Sequence, residues 1–83
     1  MEVTFTINGK LHTLSRSDVE RAVKGVEPDA VRSHVVLVNG AEFPPKQPFA
    51  LATGLDRLDF TTNQARTQLR KLGFEVYRAG QGS

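Results

Sequence analysis

Between Asp59 and Glu75 the chain carries no acidic residue, yet that interval holds Asn63, Gln64, Arg66, Gln68, Arg70 and Lys71. Asn, Gln and Arg pair bidentately with adenine and guanine edges, while Thr, Lys and Arg reach phosphate oxygens. If residues 61–72 form a helix, Arg66 and Arg70 lie one turn apart, with Asn63 and Thr67 on the adjoining strip. A helix facing only water normally mixes both signs, because acid–base pairs four residues apart stabilise it. This segment forgoes them. The chemistry on offer is recognition of a polyanion, with Thr62, Asn63, Arg66, Thr67, Arg70 and Lys71 as candidate contacts and Arg66 and Arg70 as the principal ones. A solvated basic face is the competing explanation of the same residues.

Two further cations belong with that set. Lys46 follows Pro44-Pro45 at the start of a short helical stretch, where free backbone N–H groups beside a lysine would seat a phosphate. Its stem would equally lie over Phe43 or Phe49, with the ammonium in water. Arg78, beyond the last strand, is a candidate phosphate holder. Catalytic constellations are weaker. Ser15 and Ser17 stand near His12, but serines at a helix start cap it, and His12 reads as a surface residue of a hairpin. Asp56 and Asp59 flank Arg57 and read as loop carboxylates. No glycine-rich phosphate loop is present, cysteine is absent, and His12 and His34 are the only histidines. We therefore expect no enzyme, no metal and no cofactor.

These residues need a scaffold. Val3-Thr4-Phe5-Thr6-Ile7 alternates apolar and polar residues and is followed by Asn8-Gly9, the pairing a type I′ hairpin turn requires. The return strand places Leu11 and Leu14 out of step, which predicts a bulge. A helix follows, with Ser17 as N-cap, Glu20 closing a capping box, Val19, Ala22, Val23 and Val26 on one face, and Gly25 as the stop. His34–Val38 reads as a central strand buried on both faces, ending at a second Asn-Gly, with Glu42-Phe43 returning antiparallel. Pro48 confines the next helix to a start near Pro45 or Lys46. The helix from Thr61 to Leu72 turns Ala65, Leu69 and Leu72 inward and stops at Gly73; Phe74–Tyr77 is a last strand. Strand, Asn-Gly, return segment, helix and glycine occur twice, as two ordinary hairpins or as a duplicated unit.

Eighty-three residues hold one core and no second domain. We assign residues 1–78 to that domain and 79–83 to a flexible tail. The net charge is +2, but the N-terminal part through Ala30 is slightly acidic and the basic excess lies from Val31 onward. With no disulfide framework, no signal-like N-terminus and no membrane-spanning stretch, the expected location is the cytoplasm.

The stretch Asn39-Gly40, Phe43-Pro44-Pro45-Lys46-Gln47, Leu51-Ala52-Thr53-Gly54-Leu55, Asp59-Phe60-Thr61-Thr62, Ala65-Arg66 and Leu69-Arg70-Lys71-Leu72-Gly73-Phe74 resembles a short module. That module occurs as a small stand-alone protein and at the head of McrA-like, modification-dependent HNH endonucleases; the similarity covers roughly residues 34–76. It implies a DNA-associated accessory domain. It brings no nuclease chemistry, because the His-Asn-His metal site of those enzymes lies in a separate domain.

The expectation is thus an α+β fold, with a small, mainly antiparallel sheet from the hairpin, central strand and C-terminal strand, and three short helices. Its core should contain Phe5, Ile7, Val19, Val23, Val36, Val38, Phe49, Leu51, Leu58, Phe60, Leu69, Leu72 and Phe74. The expected function is non-catalytic DNA binding. The alternative is a protein-interaction module, such as a homodimer formed through a free sheet edge.

Overall fold

The computed structural model describes residues 1–79. The elements are β1 (Glu2–Ile7), β2 (Lys10–Ser15), α1 (Arg16–Ala22), β3 (His34–Val38), β4 (Ala41–Phe43), α2 (Lys46–Thr53), a single 3₁₀ turn (Arg57–Asp59), α3 (Thr62–Lys71) and β5 (Glu75–Arg78). Among the described residues the fold is α+β, with three helices and only antiparallel strand pairs. Its strands form two sheets where one was expected. β1 and β2 pair with each other alone, and β3 lies between β4 and β5. The hairpin joins the rest through side chains: the Phe5 ring lies 5.3 Å from Phe49 of α2, and Phe49 lies 4.8 Å from Phe60. A helix aromatic covers the hairpin's inner face, so no third strand is needed there.

Both Asn-Gly pairs make the expected turns. Asn8 and Gly9 have φ of 53° and 76°, and Asn39 and Gly40 have 52° and 80°. Positive φ at both central positions matches the right-handed twist of the flanking strands. The predicted bulge is absent. β1 and β2 pair without interruption from Glu2↔Ser15 to Ile7↔Lys10, so Leu11 faces water while Leu14 is buried. That register also turns His12 inward, where it stacks on Phe5 at 5.5 Å instead of sitting on the surface. Neighbouring strand positions alternate faces, so His12 and Ser15 point to opposite sides of β2 and cannot form a nucleophile–base pair.

The cap of α1 is Ser15, not Ser17. The Ser15 hydroxyl accepts the Asp18 N–H at 3.1 Å, and the Asp18 carboxylate accepts the Ser15 N–H at 3.0 Å. Both serines have an acid three residues on; β2 continues to Ser15 and delivers it in the extended conformation that a cap needs.

One core unites the elements. It contains eleven of the thirteen expected residues; Leu51 and Leu58 lie outside it, and Leu14 and Phe43 lie within it unforeseen. α2 turns Gln47, Pro48 and Phe49 inward, and Leu51, two residues beyond Phe49, falls on the opposite side of the helix. Leu58 sits in the 3₁₀ turn, whose N–H is taken by the Asp56 carboxylate, and is 92% exposed. Leu55 and Phe60 anchor that loop instead. Ala79, assigned to the tail, donates its N–H to the Ser33 carbonyl at 2.8 Å. The rest of that tail, residues 80–83, lies outside the described residues. Among the described residues no helix is long and apolar enough to cross a membrane.

Candidate nucleic-acid interface

The orientation of α3 is fixed at both ends. The Thr61 hydroxyl accepts the Gln64 N–H at 3.1 Å, and the Gln64 side-chain carbonyl accepts the Thr61 N–H at 2.8 Å, a complete capping box. At the other end Gly73, with φ of 91°, lets Phe74 donate to the Leu69 carbonyl and Gly73 donate to the Arg70 carbonyl. This Schellman arrangement satisfies the last free carbonyls. Arg16 reinforces it, donating to the Leu72 carbonyl while its guanidinium lies 4.3 Å from the centre of the Phe74 ring. With Ala65 and Leu69 buried, the side chains around them have set positions.

Thr62, Arg66 and Arg70 follow one another at four-residue spacing and form a single ridge along the helix. Thr62 and Arg66 are half-buried and Arg70 is exposed. Asn63 steadies the middle member: its side-chain oxygen accepts from Nη1 of Arg66 at 3.2 Å. The charge of Arg66 acts on His34, which opens β3 directly opposite Arg78 of β5. Burial pushes the His34 imidazole below its ordinary pKa, and the charges of Arg66 and Arg78 push it the same way. Among the described residues His34 Nδ1 and Arg66 Nε are buried and have no hydrogen-bond partner.

At the Thr62 end the ridge meets a cleft of about 290 Å³, lined in part by Asp29, Arg32, His34, Lys46, Arg57 and Thr62. Lys46 is already engaged. Its ammonium donates to the Arg57 carbonyl at 3.0 Å and lies 5.5 Å from the centre of the Phe60 ring. The ammonium therefore lies over Phe60, and it keeps two further donors. Arg57 pairs with Asp29 at 2.8 Å. The cleft wall on the Asp29 side is pinned from below by Gln47, whose buried amide accepts the Asp29 N–H and donates to the Glu27 carbonyl.

Of the residues singled out from the sequence, the fold gathers Lys46 and Thr62 at the cleft and Arg66 and Arg78 around His34, with Asn63 supporting Arg66 and Arg70 one turn further on. Thr67 and Lys71 are exposed on α3 but do not line the cleft. Lys71 lies about 140° around the helix from Arg66. Four titratable cleft residues are not singled out by the sequence: Asp29, Arg32, His34 and Arg57. His34 reads only as the head of an apolar strand and Arg57 only as a loop charge, and no local signal joins the four separate segments from which the cleft is assembled. Among the described residues no three His, Cys, Asp or Glu side chains cluster so as to hold a metal ion.

Fold and surface together define a small α+β domain in which the Thr62 end of α3 opens onto a cleft lined in part by Arg32, Lys46 and Arg57. The chain belongs to the SCO5918-like family, whose family model matches residues 7–82 and so takes in every element except most of β1. No curated protein and no solved structure matches it.

Proposed function

We propose that this chain is a non-catalytic DNA-binding module that lays the Thr62–Arg66–Arg70 ridge of α3 along a groove and receives a phosphate group of the strand in the adjoining cleft. The observation that carries this reading is convergence: Arg32, Lys46, Arg57 and His34 line the cleft, and Arg66 and Arg78 act on His34. Among the described residues Asp29 is the one carboxylate lining the cleft, and it is paired with Arg57. Like charges gathered on one side of a small domain repel one another, and a polyanion relieves that repulsion. The resemblance of residues 34–76 to the head module of McrA-like endonucleases supports the same reading, and under it Lys46, Arg66, Arg70 and Arg78 act as the phosphate and groove contacts.

The test is titration of a labelled random-sequence duplex at about 50 and then about 200 mM salt, a range over which phosphate-dominated binding falls steeply. Binding that weakens sharply with salt is the expected result; no binding at the lower salt would remove DNA as the partner.

A protein partner is favoured by a different observation. Leu51 and Leu55 line a shallow depression beside α2, and Leu58, just beyond Arg57 on its rim, stands almost fully in water. Under this second reading the apolar group is the contact surface, and association would be insensitive to salt.

A further inference from the structure

We infer that the cleft at the head of α3 is a seat for a phosphomonoester dianion, the group carried by a phosphorylated strand end, and that Asp29 holds Arg57 in place when the seat is empty. The inference rests on the DNA-binding reading for the carrier of the phosphate, but the seat itself follows from the cleft. Arg32, Lys46 and Arg57 set three permanent cations against the one carboxylate of Asp29. The resulting charge of +2 matches a monoester, which carries about −1.5 to −2 at pH 7. An internal phosphodiester carries a single negative charge, about half to two-thirds of that.

Donors are available at the cleft. Arg57 contacts Asp29 through Nη2, and the guanidinium fork has other N–H groups suited to bidentate phosphate contact. Lys46 contributes an ammonium already oriented by the Arg57 carbonyl. Thr62 brings a hydroxyl from the first turn of α3, where the helix dipole favours an anion. The walls are braced before any ligand arrives. Gln47 fixes the loop on either side of Pro28, and the Lys46–Arg57 bond ties α2 to the 3₁₀ turn. Asp29 is the displaceable element: its ion pair with Arg57 is half-exposed on both sides, and its backbone N–H is held by Gln47 independently of its carboxylate. A phosphate replaces the weaker anion at Arg57 without unfastening the loop.

The experiment compares 5′-phosphorylated and 5′-hydroxyl duplexes of one sequence, with inorganic phosphate as a third probe and the His34 ring resonances as a second readout. The phosphorylated duplex is expected to bind at least roughly tenfold more tightly, the worth of one charge-assisted hydrogen bond. Asp29→Asn, which frees Arg57 and leaves the Gln47 bonds intact, should widen that preference; Arg57→Ala should abolish it. The gain in the first variant cannot come from misfolding. Equal affinity for the two duplexes would overturn the inference and leave the DNA-binding reading standing. If neither duplex binds but inorganic phosphate moves the His34 resonances, and does so at lower concentration in Asp29→Asn, the seat stands and DNA is not its carrier. If phosphate also leaves His34 unmoved, both readings fall.

Discussion

The side-chain carbonyl of Gln47 accepts the backbone N–H of Asp29 at 2.7 Å, across eighteen positions of sequence. The amide nitrogen of the same side chain donates to the Glu27 carbonyl at 2.9 Å, and the residue is buried. One side chain in the first turn of α2 thus takes up a donor and an acceptor from a loop that has no secondary structure of its own. Gln47→Ala leaves both backbone groups without their partner. The expected loss is about 2–4 kcal/mol, from two hydrogen bonds and the desolvation of what remains. Urea denaturation checks it, and Gln47→Glu, which keeps the shape and the acceptor but loses the amide donor, should also destabilise the fold.

The capping box of α1 gives stability an acid limb. Asp18 is held below its ordinary pKa, first by the Ser15 backbone N–H, then by the Ser15 hydroxyl and by Arg21. A carboxyl with a depressed folded pKa stabilises the protein above its unfolded pKa, near 3.9, and that contribution disappears as pH falls through the folded value. Ser15→Ala should cost about 1 kcal/mol at neutral pH, the usual worth of a cap. Asp18→Asn should flatten the decline of thermal stability below about pH 4. Melting curves of the two variants from pH 7 to pH 2.5 separate these effects.

Under the DNA-binding reading the ridge on α3 dominates the salt response. Arg66→Ala with Arg70→Ala should reduce the slope of log affinity against log salt by about 1.8, two phosphates at 0.9 each. Lys71→Ala, on another side of the helix, should change the slope by less than half as much. Fluorescence anisotropy with a random duplex measures both. An unchanged slope in the double variant would remove the ridge from the interface.

The exposed leucine and its buried neighbour give the sharpest packing contrast. Leu58→Ser should leave stability within about 0.5 kcal/mol of the parent, as surface substitutions usually do. Phe60→Ala, two residues on, removes a ring packed edge-on against Phe49 and should cost about 3–5 kcal/mol. If the apolar patch is a protein contact, Leu58→Ser abolishes that association while the melting temperature stays constant.

What the sequence made legible was punctuation. Asn8-Gly9 and Asn39-Gly40 named their turns because few residue pairs tolerate positive φ twice running. Thr61 and Gly73 bounded α3 because caps are local chemistry. Leu58 and Leu51 defeated the reading for the opposite reason: both are apolar, and only the length and phase of the short elements around them decide that Phe43 and Leu14 are buried instead. The choice of Ser15 over Ser17 turned on how far β2 extends. The cleft was illegible because Arg32, His34, Lys46, Arg57 and Thr62 become neighbours only when β3, α2, the 3₁₀ turn and α3 pack together.

His34 offers a test that reads the basic surface directly. Its pKa lies below the ordinary 6.5, chiefly through burial and further through Arg66 and Arg78. The folded protein therefore refuses a proton that the unfolded chain accepts near pH 6.5. Stability from this residue is fully present above that pH and is lost as pH falls toward and through the folded pKa, below which the loss is complete. Urea midpoints should drop between pH 7 and pH 5, and His34→Asn should remove that part of the drop. Arg66→Ala should shrink it, because one of the two charges opposing protonation is gone. Binding of an anion reverses the sign. A phosphate beside the imidazole favours its protonated form, so the bound protein takes up a proton that the free protein does not, and affinity should rise as pH falls from 7 to 6. NMR titration of the His34 ring, with and without duplex, measures the two pKa values. A higher value in the complex is the expected outcome; an unchanged one would place the bound anion away from β3 and the cleft.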